Sequence, residues 1–166
     1  MSRGGDGLRI PVVELRRRTA QRRNWQSEAH LDDVRVSDIR LDPDRPIELD
    51  LLMESVPDGV VVTGQIRARW TGPCHRCLEP VSGDVAVTVR EVFEPSPTEG
   101  ESYHLGSEQL DLEPMVRDAV ALELPLAPPC PYGDADPCPL SGYSTSAWAG
   151  PEEPSRDPRW AALDDL

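Results

Sequence analysis

Two runs of alternating apolar and polar residues flank the dipeptide Asp58-Gly59, and they constrain the fold more than any other feature. The apolar positions of the first run are Ile47, Leu49, Leu51 and Met53, and those of the second are Val60, Val62, Ile66, Ala68 and Trp70. A period of two is typical of a half-buried strand, and Asp-Gly suits the positive φ values of a tight hairpin turn. The sequence therefore predicts two antiparallel strands joined at Asp58-Gly59.

A third strand is predicted after a break at Thr71-Gly72-Pro73. Val85, Val87 and Val89 restart the alternation, and its phase changes before Val92 or Phe93, which indicates a bulge near Arg90. The turn Cys74-His75-Arg76-Cys77 then lies between the second and third strands of a meander. The polar residues 95–107 predict a loop.

One helix is predicted after Asp111, a favourable N-cap residue, and it ends at Pro125. Its apolar stripe consists of Leu112, Met115, Val116, Ala119, Val120 and Leu124. Packing this stripe on one face of the strands gives an α+β fold, an antiparallel meander sheet covered by a helix.

Composition divides the chain into three parts. Only 38% of the residues are hydrophobic and 18 are proline, so part of the chain is expected to lie outside a packed core. We predict a basic, partly ordered N-terminal arm (residues 1–26), an α+β core domain (27–126) and an extended or disordered Pro- and acid-rich tail (127–166). Within the arm, Leu8–Leu15 predicts a short strand or a first helical turn. Within the tail, Asp157-Pro158 favours the start of a short terminal helix over Asp157–Leu163.

The charge is unevenly distributed. The net charge is −13, yet the first 23 residues carry seven arginines against Asp6 and Glu14. An acidic body opposes a wide nucleic-acid footprint, whereas a short basic arm is compatible with docking to an RNA–protein particle. No apolar run approaches the roughly 20 residues that span a membrane, and no secretory signal follows the N-terminal arginines, so we predict a cytoplasmic protein.

Four cysteines, Cys74, Cys77, Cys130 and Cys138, are the candidate metal ligands. A C-x-x-C pair can hold one zinc ion together with two further ligands, which the tail cysteines supply if the tail folds back. Ordinary thiols are the alternative. A thiol oxidoreductase is a third interpretation, but such enzymes activate the thiolate at a helix N-terminus, and here a strand follows. No other catalytic motif is present, and no enzyme is predicted.

Cys74-His75-Arg76-Cys77-Leu78-Glu79-Pro80 resembles the C-x-R-C-L-x-P signature of the YceD family, the large ribosomal RNA subunit accumulation proteins. The segments Asp111–Pro114 and Leu122–Pro128 resemble the second block of that family. Asp157–Leu163 is similar to a common D-P-R-W-x-x-L terminus, and Val12–Arg17 resembles the N-terminal element.

The resemblance also has a departure. Many relatives carry a tail cluster of the form C-x3-C-x3-C-P-x-C-G. Here Cys130 and Cys138 keep its first and third positions, while Asp134 and Ser141 replace the other two cysteines. The tail alone therefore cannot bind a metal as that cluster would, and a shared site with Cys74 and Cys77 is the remaining zinc hypothesis.

The resemblance implies a non-catalytic ribosome-biogenesis factor that supports synthesis, processing or accumulation of large-subunit (23S) ribosomal RNA. Its expected partner is the pre-ribosomal large subunit, through RNA or a ribosomal protein. The candidate contact residues are Arg16, Arg17, Arg18, Arg22, Arg23, Arg67, Arg69 and Arg76, and their alternative role is pairing with local carboxylates. The second functional hypothesis is a zinc-stapled module whose acidic surface binds a basic ribosomal protein.

Overall fold

The computed structural model describes residues 7–133, 135–142 and 144. The strands are β1 (Arg9–Pro11), β2 (Arg22–Ala29), β3 (Arg35–Val36), β4 (Ile39–Leu41), β5 (Ile47–Val56), β6 (Gly59–Pro73), β7 (Pro80–Glu94), β8 (Tyr103–His104) and β9 (Gln109–Asp111). One short 3-10 helix, Leu15–Arg17, follows β1, and the α-helix α1 spans Glu113–Glu123. The α+β prediction is confirmed within this part of the chain.

The predicted meander forms the centre of the larger sheet. β5, β6 and β7 are consecutive antiparallel neighbours, and β2 pairs with the other side of β5. The hairpin turn is one residue away from its predicted place, because Val56 pairs with Gly59 and leaves Pro57-Asp58 as the two-residue loop. Proline cannot adopt a positive φ, so this loop is not the primed turn that Asp-Gly favours.

The end of β6 and the course of β7 differ from the sequence prediction. Thr71-Gly72-Pro73 does not break the strand, because β7 pairs with β6 as far as Pro73 and β4 supports it from the other side. The bulge near Arg90 is absent as well, since the pairing is one-to-one from Val60 with Phe93 to Pro73 with Pro80. Phe93 is buried in phase with the preceding valines, and Val92 points outward.

Three further pairings were not predicted. β2 forms against β5, although its inward positions include only one large apolar side chain, Trp25. The N-terminal segment forms both a strand and a helical turn, and β1 pairs with β9 in a small second sheet. β8 interrupts the predicted loop 95–107 and pairs in parallel with the end of β7. β2 also runs across residue 26, the predicted end of the arm, and the division of the chain into arm, core domain and tail stays a prediction.

The core lies between the inner face of the sheet and α1, which packs mainly against β7. Met115, Val116 and Val120 of the helix are fully buried, as its apolar stripe predicts. The helix begins one residue later than predicted, but the Asp111 carboxylate still accepts a 3.0 Å hydrogen bond from the Glu113 amide. This bond satisfies one of the free donors of the first turn.

The opposite face of the sheet, which we call the outer face, carries the polar residues of each alternation, including Arg67 and Arg69. Within the described residues, no helix is long and apolar enough to cross a membrane. The described tail residues after α1 contain no helix or strand. The predicted helix at Asp157–Leu163 lies outside the described residues.

Candidate metal centre

The Cys74–Cys77 turn closes the long β6–β7 hairpin. Pro73 and Pro80 pair with each other, so residues 74–79 form the loop between the two strands, as the sequence predicts. The Cys74 amide donates to the Glu79 carbonyl at 2.8 Å, and the Leu78 amide donates to the Cys74 carbonyl at 3.0 Å. Leu78 adopts φ 62°, a left-handed conformation that reverses the chain after Cys77.

The tail returns to this loop after α1. The His75 amide and the His75 ring both contact the Pro128 carbonyl, at 3.1 and 2.7 Å. Because a carbonyl oxygen only accepts, His75 Nδ1 carries the proton and is not free to bind a metal ion. The Arg76 guanidinium donates to the Gly133 carbonyl at 3.1 Å. These contacts bring the two tail cysteines to the paired ones.

The sulfur atoms of the four cysteines form one buried cluster. The Sγ atoms of Cys74, Cys77 and Cys130 all lie within 4.8 Å of one another, which is close enough to hold a metal ion. Cys138 Sγ lies 3.8 Å from Cys130 Sγ. All four are free thiols in this structure.

Backbone amide groups point at every sulfur. Cys74 Sγ accepts from the amides of Cys77 and Arg76, the latter at 3.4 Å. The other amide donors are Glu79 to Cys77, Tyr132 to Cys130, and Leu140 and Ser141 to Cys138. Gly133 and Gly142 take positive φ values, 58° and 68°, as the chain turns after each tail cysteine. Tight turns that aim amides at a sulfur stabilise its thiolate, the form that binds a metal.

The protonation equilibria of the four thiols are displaced in different directions. The amides of Cys77 and Arg76 lower the pKa of Cys74. Burial raises the pKa of Cys138, but the amides of Leu140 and Ser141, with the side chains of Cys77 and Ser141, outweigh burial and bring it to about 7. The pKa values of Cys77 and Cys130 are raised by burial and by the neighbouring thiols, although a backbone amide opposes the shift in each case.

This arrangement fits a metal site better than a redox site, because the sulfurs of Cys74, Cys77 and Cys130 are mutually close and Cys138 adjoins Cys130. With Zn–S bonds of about 2.3 Å, the sulfurs of a tetrahedral site are about 3.8 Å apart, which is the spacing of Cys130 and Cys138. β7 follows the C-x-x-C turn, so no helix N-terminus activates a thiolate there. Ser141, which replaces the last cysteine of the tail cluster in the resemblance described above, contacts the sulfurs of Cys77 and Cys138. The sequence did not predict this contact.

Most of the candidate arginines have intrachain partners. Arg22 forms an ion pair with Glu54 at 3.1 Å, and Arg69 lies 3.7 Å from Asp42 and 3.5 Å from Asp84. The remaining contacts are Arg16 to the Gly106 carbonyl, Arg23 to the Pro11 carbonyl and the Trp25 ring, Arg67 to Gln65, and Arg76 to Gly133. Arg17 and Arg18 are exposed and make no side-chain hydrogen bond or ion pair in the part of the chain described.

The structure places two of the candidate arginines, Arg22 and Arg69, far apart on the sheet. Arg22 is level with Val61 through the register of β2, β5 and β6, near the hairpin turn. Arg69 lies about eight residues further along β6, or roughly 26 Å away, toward the cysteine cluster. A single compact ligand therefore does not contact Arg22 and Arg69 at once, and the role of the candidate arginines in binding stays a prediction.

The family model of the large ribosomal RNA subunit accumulation protein YceD matches residues 62–166 of this chain. The match covers more than half of the chain and includes all four cysteines. The chain belongs to the YceD family. The matched region contains Arg67, Arg69 and Arg76, whereas the N-terminal arginines precede it.

The chain is also similar to mycobacterial proteins that are described as uncharacterized. It is 38% identical to one from Mycobacterium tuberculosis over 135 residues, which is 77% of this chain and 65% of that relative. It is 36% identical to one from Mycobacterium leprae over 128 residues, covering 73% of this chain and 59% of the relative. The chain thus spans less than two thirds of the length of these relatives. No solved structure matches it.

Proposed function

We propose that this YceD-family protein is a non-catalytic factor that supports accumulation of large-subunit (23S) ribosomal RNA by binding a pre-ribosomal intermediate in the cytoplasm. The family description is the observation that carries this proposal. The cysteine cluster is consistent with a structural role in such a factor, because Cys74, Cys130 and Cys138 are buried together and Cys77 packs against them.

Zinc bound by Cys74, Cys77, Cys130 and Cys138 is part of the proposal. When bound, the ion would cross-link the β6–β7 loop to the tail. Because the unfolded chain has no preformed site, the free energy of metal binding would stabilise the folded state. The protein itself supplies the amide donors, the left-handed turn residues and the Arg76 and His75 contacts that bring the two halves together.

The turns around the cysteines also present apolar side chains to solvent. Leu78 is 74% exposed, Tyr132 51% and Leu140 40%, and each follows a cluster cysteine by one or two positions. Large exposed apolar residues grouped on rigid turns are typical of protein-interaction surfaces. We infer that these three residues, held by the zinc site, contact the partner.

A second candidate for the direct partner is a basic ribosomal protein. The net charge of −13 and the intrachain pairing of Arg22 and Arg69 favour a protein ligand over a wide RNA surface. The alternative is direct binding of RNA through Arg17 and Arg18, and the experiment below distinguishes the two partners.

The test is depletion of the protein followed by rescue with variants. Wild type should restore the ratio of large to small subunits in sucrose gradients and cosediment with large-subunit precursors. A Leu78→Ser and Tyr132→Ser double variant should fold and bind zinc yet fail to cosediment, whereas Leu122→Ser, an exposed leucine on α1, should behave as wild type. Unchanged ribosomal RNA after depletion would contradict the proposed function.

Ribonuclease treatment before capture distinguishes the two partners. Retention of one ribosomal protein after treatment supports the protein ligand. Loss of all partners, together with weaker binding by an Arg17→Glu and Arg18→Glu variant, supports RNA. Arg40→Glu is the control for a charge reversal, because Arg40 is also exposed but lies on β4.

A further inference from the structure

The long strand β7 has a free edge. On one side it pairs with β6 along its whole length, and on the other side β8 covers only Phe93 and Glu94. Along the edge of β7 that faces away from β6, residues 80–92 form no backbone hydrogen bond with any other described segment. An exposed edge of this length is a template for another strand.

The other end of the sheet is different, because the N-terminal segment lies against β2. The Arg23 guanidinium donates to the Pro11 carbonyl at 3.1 Å. Gly7 approaches so closely that a Cβ there would lie 2.7 Å from the Glu28 carbonyl oxygen. Among the described residues, β7 is therefore the long edge strand that remains open to a partner.

The side chains of β7 are self-complementary in one antiparallel register. If two copies pair around Val87, Asp84 of each copy faces Arg90 of the other on the outer face, and Val85 faces Val89 on the inner face. Shifting the register by two residues in either direction places Asp84 opposite Thr88 or Val92, so this charge match is specific to the Val87 centre.

Two observations on the single chain agree with this pairing. The Arg90 side chain is exposed and has no ion pair or hydrogen bond among the described residues, so its charge is available to a second copy. Val85 is only half-buried although it points to the inner face, and Val89 of the second copy would cover it. The paired segment, residues 82–92, ends one residue before β8 begins to cover the edge.

We propose that the chain forms a two-fold symmetric dimer in which β7 of each copy pairs antiparallel with β7 of the other, centred on Val87. The dimer joins the two sheets into one continuous sheet and leaves the cysteine clusters at separate ends of the two β6–β7 hairpins. This inference does not rest on the proposed ribosomal function.

The experiment is sedimentation equilibrium on the full-length protein from about 1 to 300 µM, a range that covers weak to moderate dimers. Wild type should approach twice the 18.3 kDa mass of the single chain. Arg90→Asp should raise the dimer dissociation constant about 30-fold, because two symmetry-related attractions become repulsions. The double variant Asp84→Arg with Arg90→Asp should recover part of the lost affinity, since the exchanged charges again face each other; recovery is incomplete because the substitution also removes the 3.5 Å ion pair of Asp84 with Arg69.

Arg40→Asp serves as the control for the charge change, since it makes the same substitution away from β7. Thermal unfolding of each variant checks that folding is intact; Arg90 has no described intrachain partner to lose. A wild-type monomer at every concentration overturns the proposal and leaves the edge to an extended segment of another protein. A dimer that is insensitive to Arg90→Asp, or that the double variant does not restore, overturns it equally.

Discussion

Replacing Cys138 with serine tests whether a metal ion holds the tail to the sheet. Cys138 is buried, its sulfur lies 3.8 Å from that of Cys130, and Leu140 and Ser141 direct their amides at it. A serine hydroxyl keeps its proton at neutral pH and does not replace a thiolate ligand. The variant should therefore lose zinc to a chelator under conditions in which wild type retains it.

The size of the effect follows from the loop that the ion closes. Between Cys77 and Cys130 lie about 50 residues, and a cross-link over a loop of this length restricts the unfolded chain by about 4 kcal/mol. For a domain of this size, that loss lowers the melting temperature by about 12 °C.

Zinc content should be measured by mass spectrometry on the purified protein, and stability by thermal unfolding with and without chelator. Wild type should contain one zinc ion per chain and lose about 12 °C when the metal is removed. Cys138→Ser should melt at the lower temperature already, and chelator should change it little. Leu140→Ser is the matched control, because it changes a tail residue two positions away and keeps all four sulfurs.

Two results would refute this reasoning. One is a wild-type protein without bound metal whose melting temperature does not respond to chelator or to added zinc. The other is a Cys138→Ser protein that retains one zinc ion as tightly as wild type, because the fourth sulfur would then be unnecessary.

Three further predictions concern the sheet and α1. Phe93→Ala should cost about 3–5 kcal/mol of unfolding free energy, whereas Val92→Ala should cost less than about 0.5 kcal/mol; equal effects in urea titrations would contradict the bulge-free register. Gly64→Ala should cost about 3 kcal/mol, since φ is 149° and a Cβ would lie 2.1 Å from a carbonyl oxygen of β5; a neutral effect would show that the strands can separate there. Burial and the Asp118 carboxylate raise the pKa of Tyr103 to about 12, so its stabilising contribution is complete below pH 10 and disappears as the pH rises to about 12. In ultraviolet titrations Asp118→Asn should lower that pKa, and an unchanged value would exclude the carboxylate as a cause.

The central strands and α1 were predictable because their signals are local. Period-two alternation in Ile47–Val56 and the apolar stripe of the helix each mark one face for burial, whatever the rest of the chain does. Element ends were less predictable. Pro73 remains in β6 because it pairs with Pro80 of β7, and that pairing cannot be recognised from the residues around Pro73 alone.

Strand β2 shows why a polar edge strand is difficult to predict from the sequence. Its inward side chains include Arg23, Trp25 and Ser27, which do not form an apolar alternation. The segment becomes a strand because β5 offers an unpaired edge beside it, and eight residues find partners there. Backbone pairing supplied by the neighbour, not side-chain pattern, decides this element.

The sequence by itself determined the meander, the helix, the four candidate ligands and the family resemblance, because each depends on residue types at short spacing. Only the tertiary structure decided that the cysteines of the tail lie against those of the β6–β7 loop. The carbonyl oxygens of Pro128 and Gly133 accept hydrogen bonds from His75 and Arg76, which lie in a loop more than 50 residues earlier in the chain. Such contacts depend on how α1 directs the tail across the sheet, and no local pattern encodes that path.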